Sequence, residues 1–313
     1  MQHFTSVSDV DDLPALLAAA SDVAHAPHAW PDLGHKKTMC CLFFNPSLRT
    51  RLSTQKAAYN LGMHVMIMNI GIDGWQLEFE DGSIMGGNKA EHVREAAAVV
   101  GSYCDVLGIR AFATFEDKEK DCAEEILQAF KKYAGVPIIS LESATRHPCQ
   151  SLADIITIES YKRKKRPKVV LSWVPHPKAL PQAVANSFAE WAIAAEYDLV
   201  VTHPHGYELD EQFVPASMVE YDPEKAFADA DFVYAKNWSS FHQYGQILTQ
   251  DPAWQISEAR MALTNNAYFM HCLPVRRNVV VADAVIDSPA SLVIQQAANR
   301  VVAAQTVLKE MVG

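Results

Sequence analysis

Short, bulky apolar runs alternate with stretches of helical period along the chain, and that alternation decides what it can fold into. A strand, a helix and a second strand in succession form a parallel pair with the helix on one face. The first such run, Met39-Cys40-Cys41-Leu42-Phe43-Phe44, predicts a strand over 38–44. Upstream, residues 8–35 read as a helix and a polar loop. Downstream come helix 47–61, strand 64–70, helix 91–102, strand 104–109, helix 121–134 and strand 136–140. A long helix over 147–163 takes its apolar side from Leu152, Ile155, Ile156 and Ile158. The basic run Lys162 to Arg166, stopped by Pro167, then marks a boundary. A second alternating set follows: strand 168–173, helix 181–195, strand 198–202, a helix near 223–229, and strands 231–235 and 267–272. The last helix covers about 289–311. The expected fold is α/β, with two doubly wound parallel-sheet domains joined by interdomain helices. The first covers 1–146; the second covers 147–288 and includes the linking helix 147–163.

A length of 313 residues suits two domains. A net charge of −10 argues against nucleic acid or a membrane surface as partner. No apolar run is long enough to span a bilayer, and Met1 to Asp12 lacks the basic and apolar regions of a secretory signal. The six cysteines are scattered without a CxxC pair and read as reduced, mostly buried thiols. A cytoplasmic protein is expected.

The chemistry gathers at turns. Asn45-Pro46 breaks the first strand, Ser47 is placed to cap the next helix, and Gly62 closes it. The first N–H groups of a helix have no partner within it, and the dipole there is positive. Ser47, Arg49 and Thr50 at such a turn suit a phosphate or another oxyanion. The alternative is an ordinary capped helix with surface arginines, but arginines in a first turn oppose the dipole. The stretch Gly71 to Lys89, with Gly71, Gly74, Gly82, Gly86 and Gly87, reads as a long functional loop exposing Trp75. Arg110 ends a strand, where ligands bind in open α/β sheets, though a turn arginine is an equal reading. His147 and Gln150 are three apart at a helix start and face one way, as site residues or as a cap with an exposed glutamine. Cys272, in His271-Cys272-Leu273-Pro274, lacks a general base and reads as a packing residue. Arg300, on the last helix, is a further anion donor. His203 and His205 have no companion ligands, and neither GxGxxG nor a Walker A motif occurs, so no metal and no cofactor are expected.

Together these pieces resemble the aspartate/ornithine carbamoyltransferase family. The match lies in Ser47-Leu48-Arg49-Thr50-Arg51, Arg110, His147-Pro148-Cys149-Gln150 and His271-Cys272-Leu273-Pro274, in the family's order and spacing. The resemblance implies carbamoyl phosphate as donor. It gives Ser47, Leu48, Arg49 and Thr50 to the phosphate, and Thr50, Arg110 and His147 to the carbonyl oxygen. Gln150, Leu273 and Arg300 fall to the carbamoyl nitrogen and orientation, with Cys272 positioning rather than attacking. It also implies a carbamoyl-phosphate domain at 1–146 to which helix 289–313 returns, an amino-acid domain at 147–288, and a homotrimer with shared active sites that Trp75 would help complete.

In the second domain the chain departs from the members acting on free ornithine. Pro175-His176-Pro177-Lys178 stands where they have Asp-Gly-Asn-Asn, and Ala235-Lys236-Asn237-Trp238 where they have Ser-Met-Gly. Both replacements resemble members acting on Nα-acylated ornithine. Glu142 and Lys236, then His176 and Arg277, are the candidates for gripping that substrate. Ala90 replaces the glutamate of acetyl-specific relatives and the proline of succinyl-specific ones. Alanine adds no charge to repel a succinyl carboxylate, so N-succinyl-L-ornithine is expected over N-acetyl-L-ornithine. Free ornithine, putrescine or a non-catalytic paralogue are the remaining alternatives.

Overall fold

The computed structural model describes residues 1–313. The chain divides into two units, Met1–Cys149 with Arg300–Gly313, and Gln150–Asn299. The dividing points fall inside two helices, Pro148–Tyr161 and Val293–Val312.

Unit 1 holds β1 (His3–Phe4), β2 (Thr38–Phe43), β3 (His64–Asn69), β4 (Leu77–Glu78), β5 (Glu91–His92), β6 (Val106–Arg110) and β7 (Ile138–Glu142). Five of them form one parallel sheet in the order β1-β7-β6-β2-β3. The chain leaves β2 for β3 on one side and returns to β6 on the other. Such a reversal opens a crevice at the carboxyl ends of the two strands. Phe43 is paired there with Arg110. β2 and β6 are apolar runs buried on both faces, as a central parallel strand must be. Cys40, Leu42, Leu107, Ile109, Phe130 and Ile138 pack together as part of the core.

Unit 2 repeats the plan with β8 (Lys168–Trp173), β9 (Asp198–Thr202), β10 (Phe232–Lys236) and β11 (Tyr268–Met270), all parallel in the order β11-β10-β8-β9. Its reversal lies between β8 and β10, where Trp173 pairs with Lys236. The basic run after the linking helix is tied down. Lys164 pairs with Asp231 at 2.8 Å, and Arg163 donates to the carbonyls of Asn265 and Asn266.

Three local expectations change. The helix after Ser47 starts at Arg49, and Leu48 takes the cap position with no side-chain bond. Ser47 Oγ still accepts from the Thr50 N–H at 3.3 Å. The helix expected over 121–134 is two helices, Lys118–Cys122 and Glu125–Tyr133. Between them Glu124 turns to φ +55°, its carboxylate accepting from the Ser143 hydroxyl at 2.5 Å and the Thr145 N–H at 3.0 Å. The loop from Gly71 to Lys89 is not wholly irregular, because β4 pairs with β5. No helix is long and apolar enough to cross a membrane.

Candidate active site

At the carboxyl ends of β2 and β6, unit 1 gathers side chains from four parts of the sequence. Thr50 is in the first turn of the helix Arg49–Asn60 and is buried. Its hydroxyl accepts from Arg110 Nη1 at 3.1 Å and from Arg300 Nη2 at 2.6 Å. The register of β6 and β7 shifts between Ile109 and Arg110, so that Arg110 faces Glu142. Bulges of this kind re-aim side chains beside functional sites. Glu142 Oε2 lies 2.6 Å from Arg110 Nη1 and 3.4 Å from His147 Nε2. The Glu142 backbone has φ +142°, a strained value for a residue with a side chain. Arg300 Nη2 also approaches His147 Nε2, at 3.4 Å. A carboxylate there asks the ring for an N–H and a guanidinium asks for a lone pair. The imidazole can therefore serve as donor or acceptor.

Two guanidiniums meeting on one hydroxyl concentrate positive charge out of water, a cost that a bound anion relieves. Arg110 Nε is buried without a partner, so its donors are not all spent within the protein. Arg49 begins the same helix, half-buried. The nearby thiols are poor nucleophiles: burial pushes Cys149 up to about 12, with Arg300 opposing the shift, and Cys41 is likewise pushed up to about 12.

In unit 2, cations collect at the β8–β10 reversal. Lys236 ends β10 and is buried. His176 Nε2 accepts from Arg276 Nε at 3.1 Å, so Nδ1 carries the hydrogen and donates to the Lys178 carbonyl at 3.0 Å. Burial holds the His176 imidazole below its usual range; Arg276, Lys236 and Lys178 add to that, against the opposing Lys178 backbone contact. A crevice beside it is lined by Trp173, Tyr207 and Trp238.

Gln150 is buried, its Nε2 donating to Asp154 Oδ1 at 2.7 Å, while its Oε1 has no partner. Leu273 adopts φ +55°, its N–H donating to His271 Nδ1 at 2.9 Å, and Cys272 is half-buried. Trp75 is exposed and donates to Glu91 at 2.8 Å; Ala90 is exposed beside it in sequence. Lys89 is committed to Glu78 at 3.0 Å.

Two substrate candidates have partners within the protein. Arg277 pairs with Asp283 at 2.9 Å and Asp287 at 2.6 Å, and its neighbour Arg276 meets His176. Glu142 pairs with Arg110 inside unit 1. The sequence reading also missed Asp154, although its place four residues after Gln150 on one helix puts the two on the same face. No group of three or more His, Cys, Asp or Glu side chains could hold a metal ion.

Two parallel α/β units, one with two buried arginines meeting a threonine at a strand-to-helix turn, describe a doubly wound protein with a cationic site at its strand ends. The chain belongs to the aspartate/ornithine carbamoyltransferase family: the model of its carbamoyl-P binding domain matches residues 2–160 and that of its Asp/Orn binding domain residues 181–311. It is 56% identical to the N-succinylornithine carbamoyltransferase of Bacteroides thetaiotaomicron, over 100% of this chain and 99% of that one. It is 38% identical to the N-acetylornithine carbamoyltransferase of Xanthomonas campestris pv. campestris, over 100% of this chain and 98% of that one. Among solved structures, acetylornithine transcarbamylase complexed with acetylcitrulline superposes with a TM-score of 0.94 at 37% identity, covering 100% of both chains.

Proposed function

We propose that this carbamoyltransferase moves the carbamoyl group of carbamoyl phosphate to the δ-amine of N-succinyl-L-ornithine, giving N-succinyl-L-citrulline and phosphate, as a step in arginine biosynthesis. The observation that carries the donor half is the convergence of Arg110 and Arg300 on Thr50. The phosphate is assigned to Ser47, Leu48, Arg49 and Thr50, at the helix N-terminus. Thr50, Arg110 and His147 serve the carbonyl oxygen, where charge grows as the amine adds. Gln150 Oε1 and the Leu273 carbonyl accept from the carbamoyl NH2, Cys272 packs beside them, and Arg300 orients the group. The neutral δ-amine attacks the carbamoyl carbon and forms the C–N bond. The C–O bond to phosphate then breaks, and the leaving phosphate takes the amine proton. No covalent enzyme intermediate is required, so positioning carries much of the acceleration. Residues 1–146 with 289–313 are the donor domain in this reading, and 147–288 the amino-acid domain.

The acceptor carries carboxylates, and the cations Lys236 and Arg276 at the β8–β10 reversal suit them, with the neutral His176 as a further polar contact beside an aromatic crevice. Preference for the succinyl compound rests on the 56% relative and on Ala90. Solved structures of N-acetyl-L-ornithine transcarbamylase in which one glutamate is replaced by alanine or proline are complexed with carbamyl phosphate and N-succinyl-L-norvaline. The test is kcat/KM for both acyl compounds on the wild type and on Ala90→Glu. The wild type should prefer N-succinylornithine. Ala90→Glu should move the ratio at least about tenfold toward the acetyl compound, since like charges out of water repel by up to several kcal/mol. A wild-type preference for N-acetylornithine overturns the acyl assignment alone.

The same reading makes the protein a cytoplasmic homotrimer, with Trp75 and Ala90 serving a neighbouring subunit's site. Six free cysteines fit a reducing compartment. On unit 1, the cap residue Leu48, Leu52 and Tyr59 of the helix it opens, and Met66 and Met68 of the edge strand β3 are exposed, an apolar surface that assembly would cover. Light scattering should give three times the 34.7 kDa of one chain; a single-chain mass at working concentration excludes the trimer.

A further inference from the structure

Unit 2 buries a carboxylate for which the assigned chemistry has no direct use. Asp154 has no exposed surface, and one of its oxygens accepts two side-chain amides, Gln150 Nε2 and Gln296 Nε2, each at 2.7 Å. Burying a charge is costly, and an asparagine of the same shape would avoid that cost. What a carboxylate offers in return is one-sidedness. It accepts only, whereas an asparagine can present either end of its amide.

An amide facing Asp154 must therefore turn its NH2 inward and its carbonyl oxygen outward. Gln150 obeys, and its Oε1 is left buried with no partner. Gln296 obeys too: its Oε1 accepts from the His271 N–H at 2.9 Å. His271 Nδ1 in turn accepts from the Leu273 N–H at 2.9 Å, which holds the turn that presents Leu273. One acceptor-only group thus sets the sense of both amides. The second amide carries that order into the backbone assigned to the carbamoyl nitrogen.

We propose that Asp154 is a positioning residue that makes the enzyme read the carbamoyl NH2: it fixes Gln150 with its acceptor outward and, through Gln296, fixes the 271–273 turn. The inference rests on carbamoyl phosphate being the donor. The probes are carbamoyl phosphate, acetyl phosphate, which has a methyl group in place of the NH2, and inorganic phosphate. Binding of each to the full-length wild type and to Asp154→Asn is measured by titration calorimetry. Wild type should favour carbamoyl over acetyl phosphate. Asp154→Asn should lose about tenfold or more of that discrimination, the usual scale for one buried hydrogen bond to a charged network, and bind inorganic phosphate as before. In a Gln150→Ala background Asp154→Asn should still cost discrimination, through Gln296 and the 271–273 turn, but less than it costs the wild type.

A second variant covers a failure of Asp154→Asn to fold. Gln150→Glu sets a carboxylate against Asp154, and the pair must share a proton. Its KM for carbamoyl phosphate should therefore improve as pH falls, where the wild type shows no such trend. Equal weakening for all three probes, unchanged discrimination, or a Gln150→Glu profile matching the wild type overturns the proposal. Wild type that binds no carbamoyl phosphate overturns the donor assignment, and this inference with it.

Discussion

At the carboxyl ends of β2 and β6, unit 1 brings Arg110 and Arg300 onto Thr50, with Glu142 and His147 at their side. In unit 2, the chain around Gln150 and His271 is ordered mostly by neutral amides on one carboxylate, Asp154. Both sets are buried, yet their logic differs. Charge in a low-dielectric place is strong but lacks direction, and suits an anion whose charge moves during reaction. Amides are weaker and directional, and suit telling an NH2 from a methyl or hydroxyl. The comparison teaches that two units built on one plan can order buried polar groups by different means, charge in one and amide direction in the other.

The largest expected effect comes from removing charge in unit 1. Arg110→Met should lower kcat/KM by at least about a hundredfold, the scale for one donor to a developing oxyanion. It also leaves Glu142 buried without Arg110, at a cost of ~3–5 kcal/mol in denaturant unfolding. Adding Glu142→Met should restore stability and leave the activity lost. If activity returned with stability, the unit 1 charges would be structural and the contrast between the units would fail. Arg49→Ala should do less, about 1.5–3 kcal/mol in kcat/KM with the unfolding midpoint unmoved, because Arg49 is half-buried at a polar turn. Wild-type kcat/KM in that variant would remove Arg49 from the donor site.

The smallest effect is on the acid limb of stability, and it probes unit 2. Burial holds His176 and His203 below 6.5, in His203 despite a hydrogen bond with the Pro204 carbonyl that pulls the other way. A histidine neutral in the fold takes up protons on unfolding, so the unfolded chain binds more of them below that pH. The stabilisation is present above pH 6.5 and is lost as pH falls through the unfolded and then the folded pKa. Unfolding of His203→Gln followed between pH 5 and 7 should show a shallower loss than the wild type, on the principle that the slope counts protons taken up. An unchanged slope would mean that His203 contributes nothing to it.

The alternation of apolar runs with helical period was enough to read both sheets, because central parallel strands such as β2 and β8 are buried along nearly their whole length. Local signals also found Gly62, which sits at φ +79° just past the helix end. They did not find the break at Glu124. No glycine or proline marks it, and its left-handed turn is held by Ser143 and Thr145, distant in sequence. Ser47 was legible as a cap, its hydroxyl accepting from the Thr50 N–H, although the helix itself begins only at Arg49. The partners of Arg277, Asp283 and Asp287, were not legible, since they lie in a later helix and the turn that follows it. That Arg300 would meet Thr50 follows from no local pattern; only the family resemblance placed the two together.

The Arg300–Thr50 hydrogen bond spans 250 residues. Gln305 similarly reaches Asn60 at 2.7 Å across 245 residues, and the Pro27 carbonyl across 278. A ribosome making this chain will therefore release nearly all of unit 1 long before the piece that finishes it. Until the last helix arrives, the emerging protein lacks one of its two convergent guanidiniums, and Asn60 lacks its buried partner. Closing so long a loop is slow and comes late. Completion arrives near the end of synthesis rather than growing with length, and a prematurely stopped chain has the Ser47–Thr50 turn but not the arginine that closes on it.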